Sequence, residues 1–248
     1  MSTVREDLEG LCRALGEPER EWVINAEGNA AAADGERLLV TASGSSLRLP
    51  RLLDVSLAAI LEAIDAAADD AEWARLLTAA ATGEEGTRPT VEVGLHAVAI
   101  AAGAAFVGHT HPTAVNGVLC SQRAEALAAG AVFPDQVVVC GPRPLFLPYV
   151  DPGLALARAF RDGLHQHQQD YGRLPKVAYL RSHGLVALGE SALEVLQITE
   201  MAVKASRVLA AALAAGGPTF LDEADVVRID GRLDEAHRRA VMKSGRID

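Results

Sequence analysis

Large aromatic side chains are scarce: Phe, Tyr and Trp together make up 4% of the 248 residues, against 50% for all hydrophobic types. A core without big rings must be closed by Ala, Val and Leu, which favours close packing of small side chains. Cysteine is rarer still. Cys12, Cys120 and Cys140 are odd in number and form no CxxC pair, which argues against a disulfide scaffold or a zinc ribbon and leaves reduced structural thiols. Cations are in the minority, and the formal net charge of -10 opposes the positive footprint that nucleic acids and anionic lipid surfaces attract; neither partner is expected. No uncharged apolar run reaches membrane-spanning length, and the opening MSTVREDLEG carries acids where a secretory signal needs an apolar stretch. A cytoplasmic location is the expectation.

What is present reads as alternating helices and strands around one core. Thr3 and Glu6 have capping-box spacing, Leu8, Leu11, Cys12 and Leu15 follow at helical intervals, and Gly16 supplies a stop. Asp34-Gly35 reads as a hairpin turn between extended segments 30–33 and 37–40, followed by the small-residue loop Thr41-Ala42-Ser43-Gly44. Asp54 is placed to cap a helix through Leu57, Ile60, Leu61 and Ile64; a second helix covers 73–81, and 83–86 break it. Pro89 suits a helix first turn, with Val91, Leu95, Val98 and Ala99 on one face and Glu92 one turn before His96. Strands are expected at 104–108, 137–140, 145–147, 177–180 and 185–188, and helices at 114–120, from Pro152-Gly153 to about Gln169, and from Ser191 to Gly216-Gly217-Pro218.

Chemistry concentrates in histidine. His109 and His111 stand two apart at the end of an apolar strand, where residues i and i+2 share a face. His183 lies in the turn Arg181-Ser182-His183-Gly184 between two strands, beside a glycine that permits close approach. Three neutral imidazoles with an open position make a Lewis-acid site for zinc, with manganese, cobalt or iron as alternatives. His96 reads as packed or as a partner behind the ligands, whereas His165, His167 and His237 fall in polar helices expected to be exposed. The spacing of His165 and His167 imitates that of His109 and His111, but two residues apart on a helix point different ways. Taken alone, Glu92 reads as a helix-start carboxylate favoured by the macrodipole.

Gly28-Asn29, Thr41-Ala42-Ser43-Gly44, Pro89-Thr90-Val91-Glu92 with His96, His109-Thr110-His111-Pro112 and Ser182-His183-Gly184, in that order, resemble the class II aldolase/adducin family. The resemblance spans residues 5 to 215 approximately, leaving 216–248 as a C-terminal extension of one domain covering 1–248. It implies a three-layer α/β/α fold with a central, mostly antiparallel sheet, and a homotetramer. It further implies one divalent metal per subunit, zinc foremost, on His109, His111 and His183, with Glu92 as the acid/base. The activity implied is retro-aldol cleavage of a short ketose or ketose phosphate through a metal-stabilised enediolate, the partner being a small hydroxy-carbonyl substrate. Asn29, Ser43, Gly44 and Thr90 match the family's phosphate-binding positions.

Departures from the family pattern bear on the substrate. Val91 stands where a second hydroxyl is common, and Asn29 is followed by three alanines where a serine is usual, so a carboxylate or an uncharged group can take the place of phosphate. Between Ser121 and Pro148 there is no tyrosine to act as the family's proton donor, and Asp135 is the nearest ionisable substitute. The rival readings are a sugar-phosphate 4-epimerase, a metal-dependent decarboxylase or iron oxygenase on the same fold, and a non-catalytic adducin-like module.

Overall fold

The computed structural model describes residues 3–82 and 87–232. The expected breaker at 83–86, His237 and the end of the expected extension lie outside them. Helix α1 (Val4–Leu15) opens with the expected capping box: the Thr3 hydroxyl accepts from the Glu6 N–H and the Glu6 carboxylate from the Thr3 N–H. A single 3₁₀ turn (Pro18–Arg20) leads to the hairpin of β1 (Asn29–Asp34) and β2 (Arg37–Thr41). Asp34 pairs with Arg37, so the turn is Gly35-Glu36, one position later than expected, and Gly35 supplies the φ of +61° that so tight a turn needs.

Strand β3 (Leu52–Ser56) runs straight into α2 (Leu57–Ala66). Asp54, expected as a helix cap, is therefore a strand residue; Ser56 caps instead, accepting from the Ala59 N–H, because only the residue next to the first turn reaches it. After α3 (Asp70–Ala80) and the short β4 (Ala81–Thr82), the segment at Pro89 stays extended, bridged to Ala42, with the Thr90 N–H on the Thr41 carbonyl. Helix α4 (Val93–Ala101) thus starts four residues after Pro89, and it is buried from Val93 to Ile100 rather than along one stripe.

The chain continues through β5 (Phe106–Thr110), α5 (Thr113–Leu119), α6 (Ala126–Ala129), α7 (Pro134–Cys140) and β6 (Leu145–Leu147). Among the described residues, α8 (Leu154–Tyr171), β7 (Val177–Leu180), β8 (Gly184–Gly189), α9 (Ala192–Ala214) and α10 (Glu223–Asp230) follow. The stretch at 137–140, expected as a strand, is the body of helix α7. Periodicity cannot separate a short all-apolar run into strand or helix, and Pro134 at the first turn decides it.

One sheet, in the order β4-β3-β2-β1-β5-β8-β7-β6, is antiparallel throughout except between β6 and β7. Alternate residues feed opposite cores. Ala30, Ala32, Leu39, Tyr179, Leu185 and Ala187 join the cluster with α1, α5, α7 and α9, whereas Ala31, Leu38, Val40, Ala178, Val186 and Leu188 join the one with α2, α4 and α8. Both faces are covered, giving the three-layer α/β/α arrangement. The shortage of rings is met by close approach: a Cβ on Gly94 of α4 would come within 2.7 Å of Ala157 of α8, and one on Gly108 of β5 within 2.8 Å of Val195 of α9. Cys12, Cys120 and Cys140 are free; burial pushes the thiols of Cys12 and Cys140 up to about 12.

Candidate functional site

The site gathers at one end of the middle strands. On β5, His109 is paired with Asn29 of β1 and with Val186 of β8. His111 follows just past the strand, its N–H held by the Trp22 carbonyl at 2.8 Å. The tight β7–β8 turn delivers His183 from the other side. Ser182 takes a left-handed φ of +53° to make that turn, and the Asn116 amide pins the His183 carbonyl at 3.0 Å. Gly184 is required by proximity alone, since a Cβ there would stand 2.6 Å from His111 Cδ2 and from the Thr110 carbonyl oxygen.

The three rings thus converge. His109 Nε2 lies 3.0 Å from His111 Nε2 and 3.3 Å from His183 Nε2, and one nitrogen from each ring falls within 4.8 Å of the others. Hydrogen bonds set two tautomers: His109 Nδ1–H donates to the Leu185 carbonyl at 3.0 Å, and His111 Nδ1–H to Glu27 Oε2 at 2.7 Å. Both Nε2 atoms are then lone pairs aimed at one point. Burial drives the His109 pKa down to about 3 against the opposing pull of Glu92, so its ring is neutral at physiological pH.

The Glu92 carboxylate completes the cluster, 3.3 Å from His109 Nε2 and 3.1 Å from His183 Nε2. Its Oε1 is buried without a hydrogen bond among the described residues, as is His183 Nδ1. Burial works against its charge, but the pull of His109 and His183 whenever either ring carries a proton, with the hydrogen bonds from His183 and the Asn29 amide, holds the carboxyl below the usual range. Asn29 Nδ2 donates to Glu92 Oε2 at 2.8 Å, and His96 Nε2 donates to Asn29 Oδ1 at 2.5 Å. Burial lowers His96 to about 4, so this relay is made of neutral groups up to the carboxylate.

This donor set fits a divalent cation. Lone pairs facing one another at 3.0 Å repel unless a positive centre lies between them. Nitrogens of a tetrahedral zinc shell with bonds of about 2.0–2.1 Å stand about 3.3 Å apart, close to the spacing of these rings. The backing of His109 by a carbonyl and of His111 by a carboxylate is the arrangement that orients metal-bound imidazoles. A cavity of about 260 Å³ opens beside His111, His183 and Glu92.

Asn29, Ser43, Gly44 and Thr90 all line that cavity. Asp135 does not: it sits in the first turn of α7, on the helix layer packed against α9 and α10, where a carboxylate suits the helix dipole. His165 is exposed on α8 as expected. His167 is buried, contrary to expectation, with its two ring nitrogens 2.9 Å from the carbonyl oxygens of Arg143 and Arg173. The polar pattern of α8 concealed it because its partners are backbone groups, one just past the end of the helix at Arg173 and one in the loop at Arg143. Glu27 was missed by the sequence reading; its only signal is adjacency to Gly28-Asn29, since its partner His111 is remote along the chain.

Comparison with known proteins places these observations among relatives. The family model described as "Class II Aldolase and Adducin N-terminal domain" matches residues 6–210. A curated protein of Bacillus subtilis strain 168, the uncharacterized oxidoreductase YuxG, is 28% identical over 104 residues, and that match spans 42% of this chain but only 13% of YuxG. Among solved structures, an L-fuculose 1-phosphate aldolase superposes with a TM-score of 0.67 at 14% identity, covering 93% of this chain and 96% of its own. YgbL of Escherichia coli, for which aldolase, epimerase and decarboxylase are all named as candidate activities, gives 0.67 at 19% identity, covering 92% and 98%. The L-fuculose-1-phosphate aldolase of Thermus thermophilus gives 0.60 at 16% identity, covering 87% and 97%.

Proposed function

The chain belongs to the class II aldolase and adducin family, and from that premise we propose that it is a metal-dependent aldolase cleaving a short hydroxylated carbonyl compound. The observation that carries this reading is the convergence of three imidazole nitrogens, with hydrogen-bonded tautomers behind two of them, beside an ionised carboxylate and an open cavity. His109, His111 and His183 would hold the cation, with zinc favoured by the all-imidazole donor set. When bound, such a cation supplies Lewis acidity, lowering the energy of the negative charge that a carbonyl oxygen gains as the adjacent carbon–carbon bond breaks.

Glu92 is the proton carrier. Its ionised carboxylate takes the proton from the hydroxyl of the fragment that departs as an aldehyde, and returns a proton to the carbon of the fragment left behind. Asn29 orients that carboxylate through its amide, and His96 fixes the amide from behind. Thr90 accepts the Glu92 N–H at 3.4 Å and keeps a hydroxyl to offer the substrate. Among the described residues no helix is long and apolar enough to cross a membrane, and we place the enzyme in the cytoplasm as a homotetramer.

The test is elemental analysis of purified protein together with trapping of aldehydes released from a panel of hydroxy-carbonyl compounds. About one divalent metal per chain and a trapped aldehyde are expected. Conversion of one stereoisomer to another with no aldehyde trapped would overturn the lyase assignment in favour of an epimerase. Light scattering at a mass other than four chains would overturn the tetramer.

A further inference from the structure

Glu27 is held in place more firmly than a loop residue needs to be. Its Oε1 accepts from the Ile24 N–H at 2.6 Å, its own N–H donates to the Ile24 carbonyl at 3.2 Å, and its Oε2 accepts from His111 Nδ1. The loop around it is bent by two left-handed residues, Asn25 at φ +58° and Gly28 at φ +73°. At Gly28 a Cβ would come within 2.5 Å of Val23 Cγ1 and 2.9 Å of the His109 carbonyl oxygen, so this backbone is built against the site itself. The Glu27 side chain remains 34% exposed and lines the cavity.

Around it, several of the donors that would hold a phosphate are already engaged. The Asn29 amide is bound to Glu92, the Ser43 N–H to the Arg88 carbonyl at 2.9 Å, the Thr90 N–H to the Thr41 carbonyl at 3.1 Å and the Ser45 N–H to the Ala42 carbonyl at 3.1 Å. Among the described residues no lysine or arginine lines the cavity, while Glu27 and Glu92 both do. Beside the Gly44 backbone, the lining is made of the hydroxyls of Thr41, Ser43, Ser45 and Thr90, and Ser45 Oγ is buried with no partner among the described residues. A hydroxyl both donates and accepts, so this lining pairs with an alcohol. A phosphate dianion, which only accepts, would meet two carboxylates.

We propose that Glu27 sets the substrate class of this site, selecting an unphosphorylated polyhydroxy-carbonyl compound whose far end is a hydroxyl and rejecting sugar phosphates. The proposal rests on the metal-dependent reading above. Selection works by repulsion of the wrong ligand as much as by attraction of the right one. The same carboxylate orients His111, which makes it a positioning residue as well.

The experiment uses zinc-loaded full-length protein titrated calorimetrically, at fixed ionic strength, with dihydroxyacetone, dihydroxyacetone phosphate and inorganic phosphate. Wild type is expected to bind dihydroxyacetone more tightly than its phosphate ester and to show no saturable phosphate binding. Glu27→Gln keeps an acceptor for His111 Nδ1–H but removes the charge; it should retain zinc and shift the preference toward the phosphate ester by about tenfold or more. Preference of wild type for the phosphate ester, or an unchanged ratio in zinc-retaining Glu27→Gln, would overturn the proposal. Should the variant fail to fold, the wild-type ratio alone decides. Zinc measured on the same samples separates the two readings: wild type without zinc sinks the metal-dependent function and this proposal with it, whereas zinc-loaded wild type preferring the phosphate ester sinks only the selectivity.

Discussion

His183 reaches the cluster from a turn in which both of its neighbours are constrained. Ser182 carries the left-handed backbone, and Gly184 leaves the space that His111 and the Thr110 carbonyl fill. His183→Ala is expected to lose most bound metal, while Glu92→Gln keeps the metal and lowers turnover by about 10²–10⁴-fold, the usual range for a general acid–base group. Full metal occupancy in His183→Ala by elemental analysis would remove the basis of the site. Gly184→Ala adds a methyl 2.6 Å from His111 Cδ2 and from the Thr110 oxygen, so the turn must shift. Overpacking of this kind costs about 1–3 kcal/mol, and a displaced ring also weakens metal affinity by about 10–100-fold. Denaturant melts and competitive chelation measure the two effects; no change in either would refute the cradle.

Boundaries between elements turn on single polar atoms. Ser56 ends β3 and caps α2 with one hydroxyl, so Ser56→Ala is expected to cost about 1 kcal/mol of stability, read as a lower urea midpoint at unchanged slope. A loss below about 0.2 kcal/mol would show that the Ala59 N–H finds water instead. Helix α9 opens in a related way, with Ser191 accepting from the Glu194 N–H, but Glu194 turns its own carboxylate to the Glu190 N–H and to Lys176. The spacing was right, and the second half of the capping box was spent elsewhere. In α8, His167 ties the helix to the backbone of residues 143 and 173.

For the molecule as a whole, neutral buried histidines link folding to pH. His96 has a folded pKa of about 4 against about 6.5 in an unfolded chain. Below about 6.5 the unfolded chain binds a proton that the folded one refuses, so stability is full above that pH and is lost as pH falls toward about 4. His109, driven down to about 3, extends the same slope to lower pH. Metal-free protein should therefore show a urea midpoint that falls steadily from pH 7 to pH 4, and His96→Gln should flatten part of that fall. Identical pH profiles in the two proteins would mean that His96 is not held neutral by burial.

Periodicity and punctuation alone determined most of the elements. The capping box of α1, the hairpin, strands β6 and β7 and the long α9 follow from local spacing, because turn chemistry and side-chain alternation act over a few residues. The candidate ligands were also legible, since the His109–His111 pair on a strand end and a histidine beside a turn glycine carry their geometry with them. Tertiary structure decided the rest. It held Pro89 extended against Ala42, buried His167, moved Asp135 away from the cavity, and brought Glu27 onto His111. Each of these depends on a partner far along the chain, which local sequence cannot show until the sheet has brought the two together.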